Sequence, residues 1–324
     1  MKTMTHAKDT VSAEVLDWLL DSDPAIRWQV LRDIVKAPEA DVARERARVA
    51  NEGWGAALLD FQETDGYWPV LPNIRARWKS TLEALMLLRE FGVDPAAPRV
   101  RDAIERTRTH FIWGPEFGDT LFFEGETEAC INGRVLAFGA YFGAPNEALL
   151  RRLLSEQLED GGWNCEAPGS VRSSFHSTIC VLEGLLEYER ALVEAPIITT
   201  TTAAEIAAAR HRGQEYLLER NLFRSRSTGK IIRPDWAWFA FPTDWHFDVL
   251  WGLDYLRRAA HPPDPRLTEA IALVRGKRSP TGQWNLDRAH AQDLPFLMEE
   301  TLPNHPSRWI TLRALRVLEW AGQI

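Results

Sequence analysis

Apolar residues recur at helical spacing through most of the chain. Leu82, Leu85 and Met86 share one face of a predicted helix, and Ile179 and Leu182 belong to a second face of the same kind. Strand-like alternation is scarce, so the pattern predicts an all-α protein. Clusters of Gly and Pro separate the helical segments at 65–66, 95–98, 161–162, 168–169, 262–265 and 280–282.

One apolar segment type recurs at intervals of about 46 to 68 residues, and more charged helical segments lie between its copies. A unit of two helices cannot bury its apolar helix alone, whereas closing the units into a ring buries all of them. We therefore predict a single α/α toroid domain over residues 1–324, built from about five to six helical hairpins, with 1–10 as a flexible tail. The copies are TLEALMLL from Thr81, NGRVLAFG from Asn132, TICVLEGL from Thr178, HFDVLWGL from His246 and TLRALRVL from Thr311, with an earlier relative, RWQVLRDI, from Arg27.

Two of the charged segments end in Gln-x3-Gly-x-Trp, at Gln62 to Trp68 and at Gln157 to Trp163, and a third end keeps only Gly282-x-Trp284. A Gly after a helix suits the left-handed cap conformation. The following Trp can cover the helix end while its N–H finds an acceptor. These residues are predicted to be structural caps, which accounts for part of the 14 Trp in the chain.

The composition narrows the classes of partner and compartment. Lys and Arg number 38 against 46 Asp and Glu, a net charge of -8, so a nucleic-acid partner is disfavoured. Three Cys in 324 residues argue against a secreted disulfide framework. Neither a signal peptide nor an apolar run of membrane-spanning length is evident, so we expect a cytoplasmic protein without a transmembrane segment.

Aligning the repeated segments gives Lys79, Cys130, His176, Asp244 and Trp309 the same position, two residues before the reference residue. Equivalent positions in a ring face the same end, so these side chains are expected to cluster there. A thiol and an imidazole among them could bind one metal ion from adjacent helices. Capping of helix starts and burial of Cys as a small apolar residue are the structural alternatives.

The Gln-x3-Gly-x-Trp segments resemble the QW repeats of terpenoid cyclases and protein prenyltransferase β subunits, which share an α/α toroid. The stretch GGWNCEAPGSVRSSFHSTICVLEGL, residues 161–185, is similar to the part of the prenyltransferase β subunit that contains a zinc-binding His. The resemblance implies a Zn²⁺ held by Glu128, Cys130 and His176, with Glu where the family has Asp. Glu126, four residues before Cys130, would replace Glu128 if the helix began earlier. Cys165 is expected to be a loop residue.

Glu124, Glu126 and Glu128 form an acidic cluster before the same helix. Crowded carboxylates raise the pKa values of one another, so one of them could donate a proton to an alkene, as in the cyclase branch of the family. The chain has no D-x-D-D motif, and a solvated acidic loop is the structural alternative.

Substrate contacts are expected from residues at the starts of the apolar helices. Arg77, Trp78 and Lys79 lie at one start, and Trp245 and Trp309 belong to two others. Basic side chains that could contact a phosphate are Arg75, Arg77, Lys79, Lys230 and Arg233. Asp244 and His246 are expected to orient substrate or to move protons, while most aromatic residues between 236 and 247 are expected to fill the core.

Three functions follow as hypotheses. The resemblance favours an enzyme that acts on an apolar, isoprenoid substrate in a central cavity, with zinc as an implied cofactor. The second hypothesis is metal-free cyclisation started by Glu124, Glu126 or Glu128, with Glu126 and Glu128 as the leading acids. The third is a noncatalytic toroid that binds a hydrophobic ligand or a protein partner. A second subunit accompanies the prenyltransferase β fold in that family, and the residues do not decide whether one is needed here.

Overall fold

The computed structural model describes residues 11–69, 77–194, 201–290, 298 and 302–324, so the predicted tail at 1–10 lies outside the described residues. Within these ranges regular structure is helical, and extended pairing is limited to isolated bridges, which confirms the all-α class. No helix of the described ranges is long and apolar enough to cross a membrane. The α-helices are α1 (Ala13–Leu20), α2 (Pro24–Val30), α3 (Glu39–Arg48), α4 (Gly53–Asp60), α5 (Arg77–Phe91), α6 (Pro98–His110), α7 (Ala129–Tyr141), α8 (Glu147–Ser155), α9 (Phe175–Glu194), α10 (Ala203–Leu218), α11 (Val249–Arg258), α12 (Thr268–Gly276) and α13 (Arg308–Trp320).

The apolar helices α2, α5, α7, α9, α11 and α13 form a closed ring. Each contacts the next from α5 to α13, and α13 contacts α2. The ring closes where Trp28 Nε1 donates to Phe91 O at 2.8 Å and Gln29 Nε2 donates to Glu90 O at 3.0 Å, which joins α2 to α5. The helices of the other set pack against this ring, as α8 does on α7 and α10 on α9. This is the toroid that the repeated segments predict.

The tightest contact in the ring is between α7 and α9, and two glycines permit it. A Cβ on Gly133 would lie 2.6 Å from the backbone carbon of Cys180, and a Cβ on Gly184 would lie 2.3 Å from Gly133 O. Neither position can hold a larger residue unless the helices separate. This contact fixes the spacing of two helices that contribute to the candidate site.

The three Gly-x-Trp ends form equivalent caps. Gly66, Gly161 and Gly282 all adopt positive φ, and the Trp that follows each is fully buried. Each indole Nε1 donates at 2.7 Å to a carbonyl of the preceding helix, namely Leu58, Leu153 or Val274. Each Trp backbone N–H donates to the hydroxyl of a reference threonine of the repeat, Thr81, Thr178 or Thr311, at 2.9 to 3.1 Å. The indole hydrogen bonds confirm the predicted caps. The bonds to the threonines, which were not predicted, join each cap to the start of the next ring helix.

The glutamine of the motif adds a link between neighbouring units. Gln62 Nε2 donates to Gly66 O and, at 2.9 Å, to Ala103 O of α6. Gln157 Nε2 donates to Gly161 O and, at 2.8 Å, to Ala209 O of α10. One amide group thus satisfies a carbonyl of its own turn and one of the next helix, a long-range role that the motif alone does not reveal.

One helix start differs from the expectation. The repeat places Asp244 and His246 at the beginning of a ring helix, but α11 begins at Val249, where the Asp248 side chain accepts from Trp251 N at 2.8 Å as its N-cap. Asp248 is a better N-cap than the residues before it because its carboxylate reaches the free N–H groups of the first turn. Asp244, Trp245 and His246 consequently lie in the loop before α11.

Candidate functional site

The ring helices start at one end of the ring, and a cavity of about 430 Å³ lies there. We call it the amino-end cavity. Lys79, Cys130, His176 and Asp244 all line it, so four of the five residues at equivalent repeat positions do cluster. Its walls are completed by Trp78, Leu82, Glu83, Glu128, Ile131, Arg134, Asn164, Cys165, Glu166, Ser174, Ser177 and Trp245.

Trp309, the fifth of these residues, does not line the amino-end cavity, in contrast to the prediction from the repeat. Its side chain is 1 % exposed and stacks on Phe241 at a ring-centroid distance of 4.3 Å and on Phe91 at 5.9 Å. It borders a different cavity, at the opposite end of the ring. A tryptophan is long enough to reach the ring interior from the first turn of its helix, so an equivalent backbone position does not give an equivalent side-chain position.

One part of the amino-end cavity wall is formed by one carboxylate and two thiols, Glu128, Cys130 and Cys165, which we call the thiol group. Their ligand atoms lie within 4.8 Å of one another. Cys130 Sγ lies 3.6 Å from Glu128 Oε2, and the backbone N–H of Cys130 donates to Cys165 Sγ at 3.2 Å. Cys165 Sγ also lies 3.2 Å from Ser177 Oγ. The arrangement is built from two loops and the first turns of two ring helices.

The two thiols differ in acidity. Hydrogen bonding from the Cys130 thiol, followed by contacts with Ser177 Oγ and the Cys130 N–H, lowers the pKa of Cys165. The same Cys130–Cys165 hydrogen bond, together with burial, raises the pKa of Cys130. Cys165 is therefore the first of the pair to ionise, and Cys130 holds its proton as the donor.

Cys165 approaches this group because the Trp163 cap holds its loop along the start of α9. Trp163 N donates to Thr178 Oγ1, and two residues later Cys165 N donates to Ser177 Oγ at 3.3 Å. The sequence shows Cys165 near a helix start but not the direction of the loop, so its assignment as a plain loop residue missed this contact. The Gly161-x-Trp163 cap just before Cys165 was the sequence feature that could have indicated the path of this loop.

His176 lines the cavity but stands outside the thiol group. Its Nδ1 accepts a hydrogen bond of 2.8 Å from the backbone N–H of Phe247. Burial is the main cause that lowers the pKa of His176 to about 4, so the ring is neutral at neutral pH and carries its proton on Nε2. Nδ1 is then committed as an acceptor, and the N–H on Nε2 can act as a donor. In this arrangement the imidazole offers a hydrogen bond and not a free lone pair.

His246 lies behind His176, in an adjoining cavity of about 300 Å³ that also includes Arg233, Trp236 and His290. It stacks on Trp245 at a centroid distance of 3.9 Å and on His290 at 4.1 Å. Burial, and next the proximity of His290, lower the pKa of His246 to about 4. His246 therefore does not line the amino-end cavity, although Asp244 Oδ2, which does, is 3.9 Å from its Nδ1.

Asp244 and Arg134 form the polar part of the amino-end cavity wall. Asp244 is buried, has a φ of 47°, and lies 3.8 Å from Arg134 Nη1. Arg134 projects from α7 and is itself 7 % exposed. It is a cavity residue that the sequence did not single out, because an arginine inside an apolar helix gives no indication of which neighbour it will face.

The acidic cluster separates into three different environments. Glu124 is exposed, and Glu128 is exposed at the cavity rim. Glu126 is 2 % exposed, and its carboxylate accepts from Thr127 N and Oγ1 and from Glu128 N. Burial raises the pKa of Glu126, but its oxygens bind the loop backbone and it does not line the cavity. Glu126 thus stabilises the turn before α7 and has no contact with the cavity.

The predicted phosphate contacts are mostly engaged elsewhere. Arg77 pairs with Glu63 at 2.5 Å and Asp65 at 2.7 Å and lies over the Tyr67 ring, away from the amino-end cavity. Arg233 pairs with Asp235 at 3.0 Å, and Lys230 is exposed. Arg75 lies outside the described residues. Lys79 is the predicted cation that lines the cavity, with its Nζ 3.9 Å from Glu83 Oε1.

The aromatic segment before α11 divides as predicted between core and cavity. Phe239, Phe241 and Phe247 are buried, whereas Trp245 is 48 % exposed at the mouth of the amino-end cavity. Trp78, at the start of α5, provides a second aromatic wall and contacts Phe117 and Trp113 behind it. Leu82 and Ile131 lie on the same lining. The cavity thus combines apolar walls with a small number of polar groups.

Fold and site together define an all-α ring of helical hairpins with a thiol-lined cavity at the amino ends of the ring helices. No family model matches the chain, and no curated protein matches it. Among solved structures it is similar to the type II terpene cyclase MstE from Scytonema in its apo form, with 14% identity, 89% of this chain and 100% of that chain covered, and a TM-score of 0.31.

Two further structures of variants of that cyclase match in the same way. One is the complex with merosterolic acid A, the product, with 16% identity, 87% of this chain and 97% of that chain covered, and a TM-score of 0.29. The other is a complex with geranylgeranyl dihydroxybenzoate, the substrate, with 14% identity, coverage of 87% and 97%, and a TM-score of 0.30. The fold class described above rests on the helix contacts of this chain.

Proposed function

We propose that this protein is an enzyme that binds an apolar, isoprenoid-type substrate in the amino-end cavity and acts on it at the thiol group. The observation that carries the proposal is the placement of Glu128, Cys130 and Cys165 on the wall of a cavity whose other sides include Trp78, Leu82, Ile131 and Trp245. Its volume of about 430 Å³ is in the range of small-molecule sites, which are mostly apolar with few polar groups.

The donor atoms of the thiol group fit a zinc ion. Two sulfurs and one carboxylate oxygen are a ligand set that zinc accepts, and three protein ligands leave a fourth position for another molecule. When bound, zinc would lower the pKa of a coordinated thiol or water and so supply a nucleophile. This set contains Cys165 in place of the His176 that the family resemblance implies.

The chain's own groups would orient the substrate. Trp78 and Trp245 line the cavity and would offer aromatic faces to an apolar chain. His176 would donate from Nε2, because its Nδ1 is engaged by Phe247 N. Asp244 and Arg134 would bind a polar group of the substrate at the cavity wall.

Metal content and ligand binding test the proposal together. Purified wild type should contain close to one zinc per chain, and Cys130→Ala should lose it while remaining folded. Cys180→Ala is the matched control, because Cys180 is the third free cysteine and is buried outside the thiol group. Tryptophan fluorescence should report saturable binding of geranylgeranyl diphosphate or a neutral polyprene, weakened in Trp245→Ala. Folded wild type that neither holds zinc nor binds any compound of this class would exclude the proposal.

A metal-free version of the same function uses acid. Of the carboxylates predicted to be catalytic, Glu128 and Asp244 line the cavity and Glu126 does not, so the acid-initiated cyclase hypothesis now rests on these two. It predicts conversion of a polyprene without release of diphosphate, lost in Glu128→Gln or Asp244→Asn but retained after zinc removal. Tight binding of a polyprene without any conversion would instead favour the noncatalytic toroid.

A further inference from the structure

A second cavity of about 440 Å³ lies at the opposite end of the ring, where the ring helices end. We call it the carboxyl-end cavity. All six ring helices, or the residues directly after them, contribute to its lining, from Trp28 on α2 to Arg316 on α13. Helix α5 reaches both cavities: Glu83 lines the amino-end cavity and Glu90 lines the carboxyl-end cavity. At the rise per residue of an α-helix, these two positions are about 10 Å apart along the helix axis. The two cavities are therefore distinct sites.

The lining of this cavity carries an excess of positive charge. Eight arginines line it, against the four carboxylates Asp33, Glu90, Glu187 and Asp254. Glu183 adds a fifth carboxylate, because it pairs with two of these arginines. Eight guanidinium groups and five carboxylates leave a surplus of three positive charges, in a protein whose net charge is -8.

Each of the five carboxylates is shared by two arginines. Asp33 pairs with Arg32 at 2.6 Å and also with Arg316. Asp254 pairs with Arg257 at 2.8 Å and with Arg258 at 3.2 Å. The other pairs follow the same pattern: Glu183 with Arg89 and Arg258, Glu187 with Arg89 and Arg190, and Glu90 with Arg89 and Arg313. The protein's own acids thus do not neutralise the cluster.

Several donors around the cavity lack an acceptor. Arg89 Nε, Arg316 Nε and Trp309 Nε1 are buried and have no hydrogen-bond partner among the described residues. Arg89 and Arg316 are 8 % and 6 % exposed. Burial, with the charges of Arg257 and Arg32 nearby, lowers the pKa of Arg316 to about 10 despite the pairing with Asp33. A buried donor without an acceptor is costly, so an anion in the cavity would relieve both the charge and the hydrogen-bond deficit.

We propose that the carboxyl-end cavity binds a polyvalent oxyanion, namely the phosphate or diphosphate group of a small molecule. Guanidinium groups match phosphate oxygens in bidentate geometry, and a surplus of three charges suits a diphosphate. The cavity is larger than the anion alone, and the Trp28 and Trp309 side chains on its wall offer aromatic surface to the rest of the molecule.

A structural alternative is that the arginines only compensate the negative ends of the parallel ring helices, each equivalent to about half an elementary charge. Two arginines do bind terminal carbonyls: Arg46 Nε donates to Gly92 O at 2.9 Å, and Arg190 Nη2 donates to Arg258 O at 2.7 Å. If this were the whole role, an added oxyanion would neither bind nor stabilise the protein beyond an ionic-strength effect.

Inorganic diphosphate is the probe, measured by calorimetry and by thermal unfolding against sodium chloride of equal ionic strength. The test variant is the double substitution Arg32→Gln and Arg257→Gln. It leaves Asp33 paired with Arg316 and Asp254 paired with Arg258, so no acid is left without a partner. Arg44→Gln is the matched control, since Arg44 pairs with Asp41 on the exposed side of α3.

Saturable diphosphate binding is expected for wild type and Arg44→Gln, with a rise in melting temperature that depends on diphosphate concentration. Affinity should fall at least tenfold in the double variant and stay unchanged in Cys130→Ala, which separates this site from the thiol group. Absence of saturable binding, a shift reproduced by chloride, or equal affinity in the double variant would each overturn the proposal.

Discussion

The Nδ1 atom of His176 accepts a 2.8 Å hydrogen bond from the backbone N–H of Phe247, which fixes the imidazole at the boundary between two cavities. The thiol group lies on one side of this ring, and the stacked pair His246 and His290 lies on the other. The hydrogen bond commits the lone pair of Nδ1, so the proposed zinc site contains Cys165 in the place that the family resemblance gives to His176.

The first prediction concerns the identity of the metal ligands. Replacing Cys165 with Ala removes a donor of the thiol group and should weaken zinc binding by more than about tenfold, whereas His176→Ala should retain zinc. Competition with a coloured chelator measures both affinities on folded protein. The opposite result, loss of zinc in His176→Ala alone, would restore the ligand set implied by the family resemblance.

The second prediction concerns the Trp caps. Trp163→Phe removes the 2.7 Å hydrogen bond to Leu153 O and leaves a void in a fully buried position, so the free energy of unfolding should fall by about 2 to 4 kcal/mol. Trp245→Phe is the matched control, because Trp245 is 48 % exposed and should change stability by less than about 0.5 kcal/mol. Urea denaturation measures both, and equal losses would contradict the cap's structural role.

The third prediction concerns the α7–α9 contact. A Cβ at position 184 would lie 2.3 Å from Gly133 O, so Gly184→Ala should destabilise the protein by about 1 to 3 kcal/mol. A Cβ at Gly276, at the end of α12, meets nothing within 4 Å. Gly276→Ala should therefore be neutral or slightly stabilising, because Ala is the better helix residue. If the two variants had the same melting temperature, α7 and α9 could not be as close at Gly133 and Gly184 as the structure has them.

The fourth prediction concerns pH. Burial raises the pKa of Asp248 to about 6, above the value of about 4 that an aspartate has in an unfolded chain. Between these values the folded state binds more protons than the unfolded state, so the contribution of Asp248 favours folding below about pH 4 and is lost as pH rises through about 6.

Comparison with Asp248→Asn isolates this effect, because the other titrating groups are common to both proteins and Asn can still cap α11 through Trp251 N. Between pH 4 and pH 7 the wild type should lose about 2 to 3 kcal/mol of unfolding free energy relative to the variant. Urea denaturation at both values measures the difference. A constant gap between the two proteins across this range would show that Asp248 titrates normally.

Much of the fold can be predicted from the sequence because its determinants are local. Helical periodicity identifies the ring helices, and Gly followed by Trp identifies their caps, since both depend on residues a few positions apart. The clustering of Lys79, Cys130 and His176 follows from the repeat, because each lies in the first turn of its helix. Asp244 also lines this cavity, as the repeat predicts, but it does so from the loop before α11 and not from the first turn of a helix.

The composition of the site depended on long-range packing. Glu126 and Glu128 are two residues apart, yet one binds the loop backbone and the other lines the cavity. Cys165 joined the thiol group through the direction of a loop held by its hydrogen bond to Ser177. Side-chain direction and loop path are set by contacts with distant segments, which no local pattern encodes.

The sequence by itself determined the helices, their caps and the end of the ring where a site would form. Only the tertiary structure decided which side chains share that site. Only it placed Arg32, which lies directly after the first ring helix, at the same cavity as Arg316 on the last ring helix. The physical reason is that helix propensity and periodicity depend on residues within one helix. The charge at one end of the ring depends instead on residues from several helices, which come together only when the ring closes.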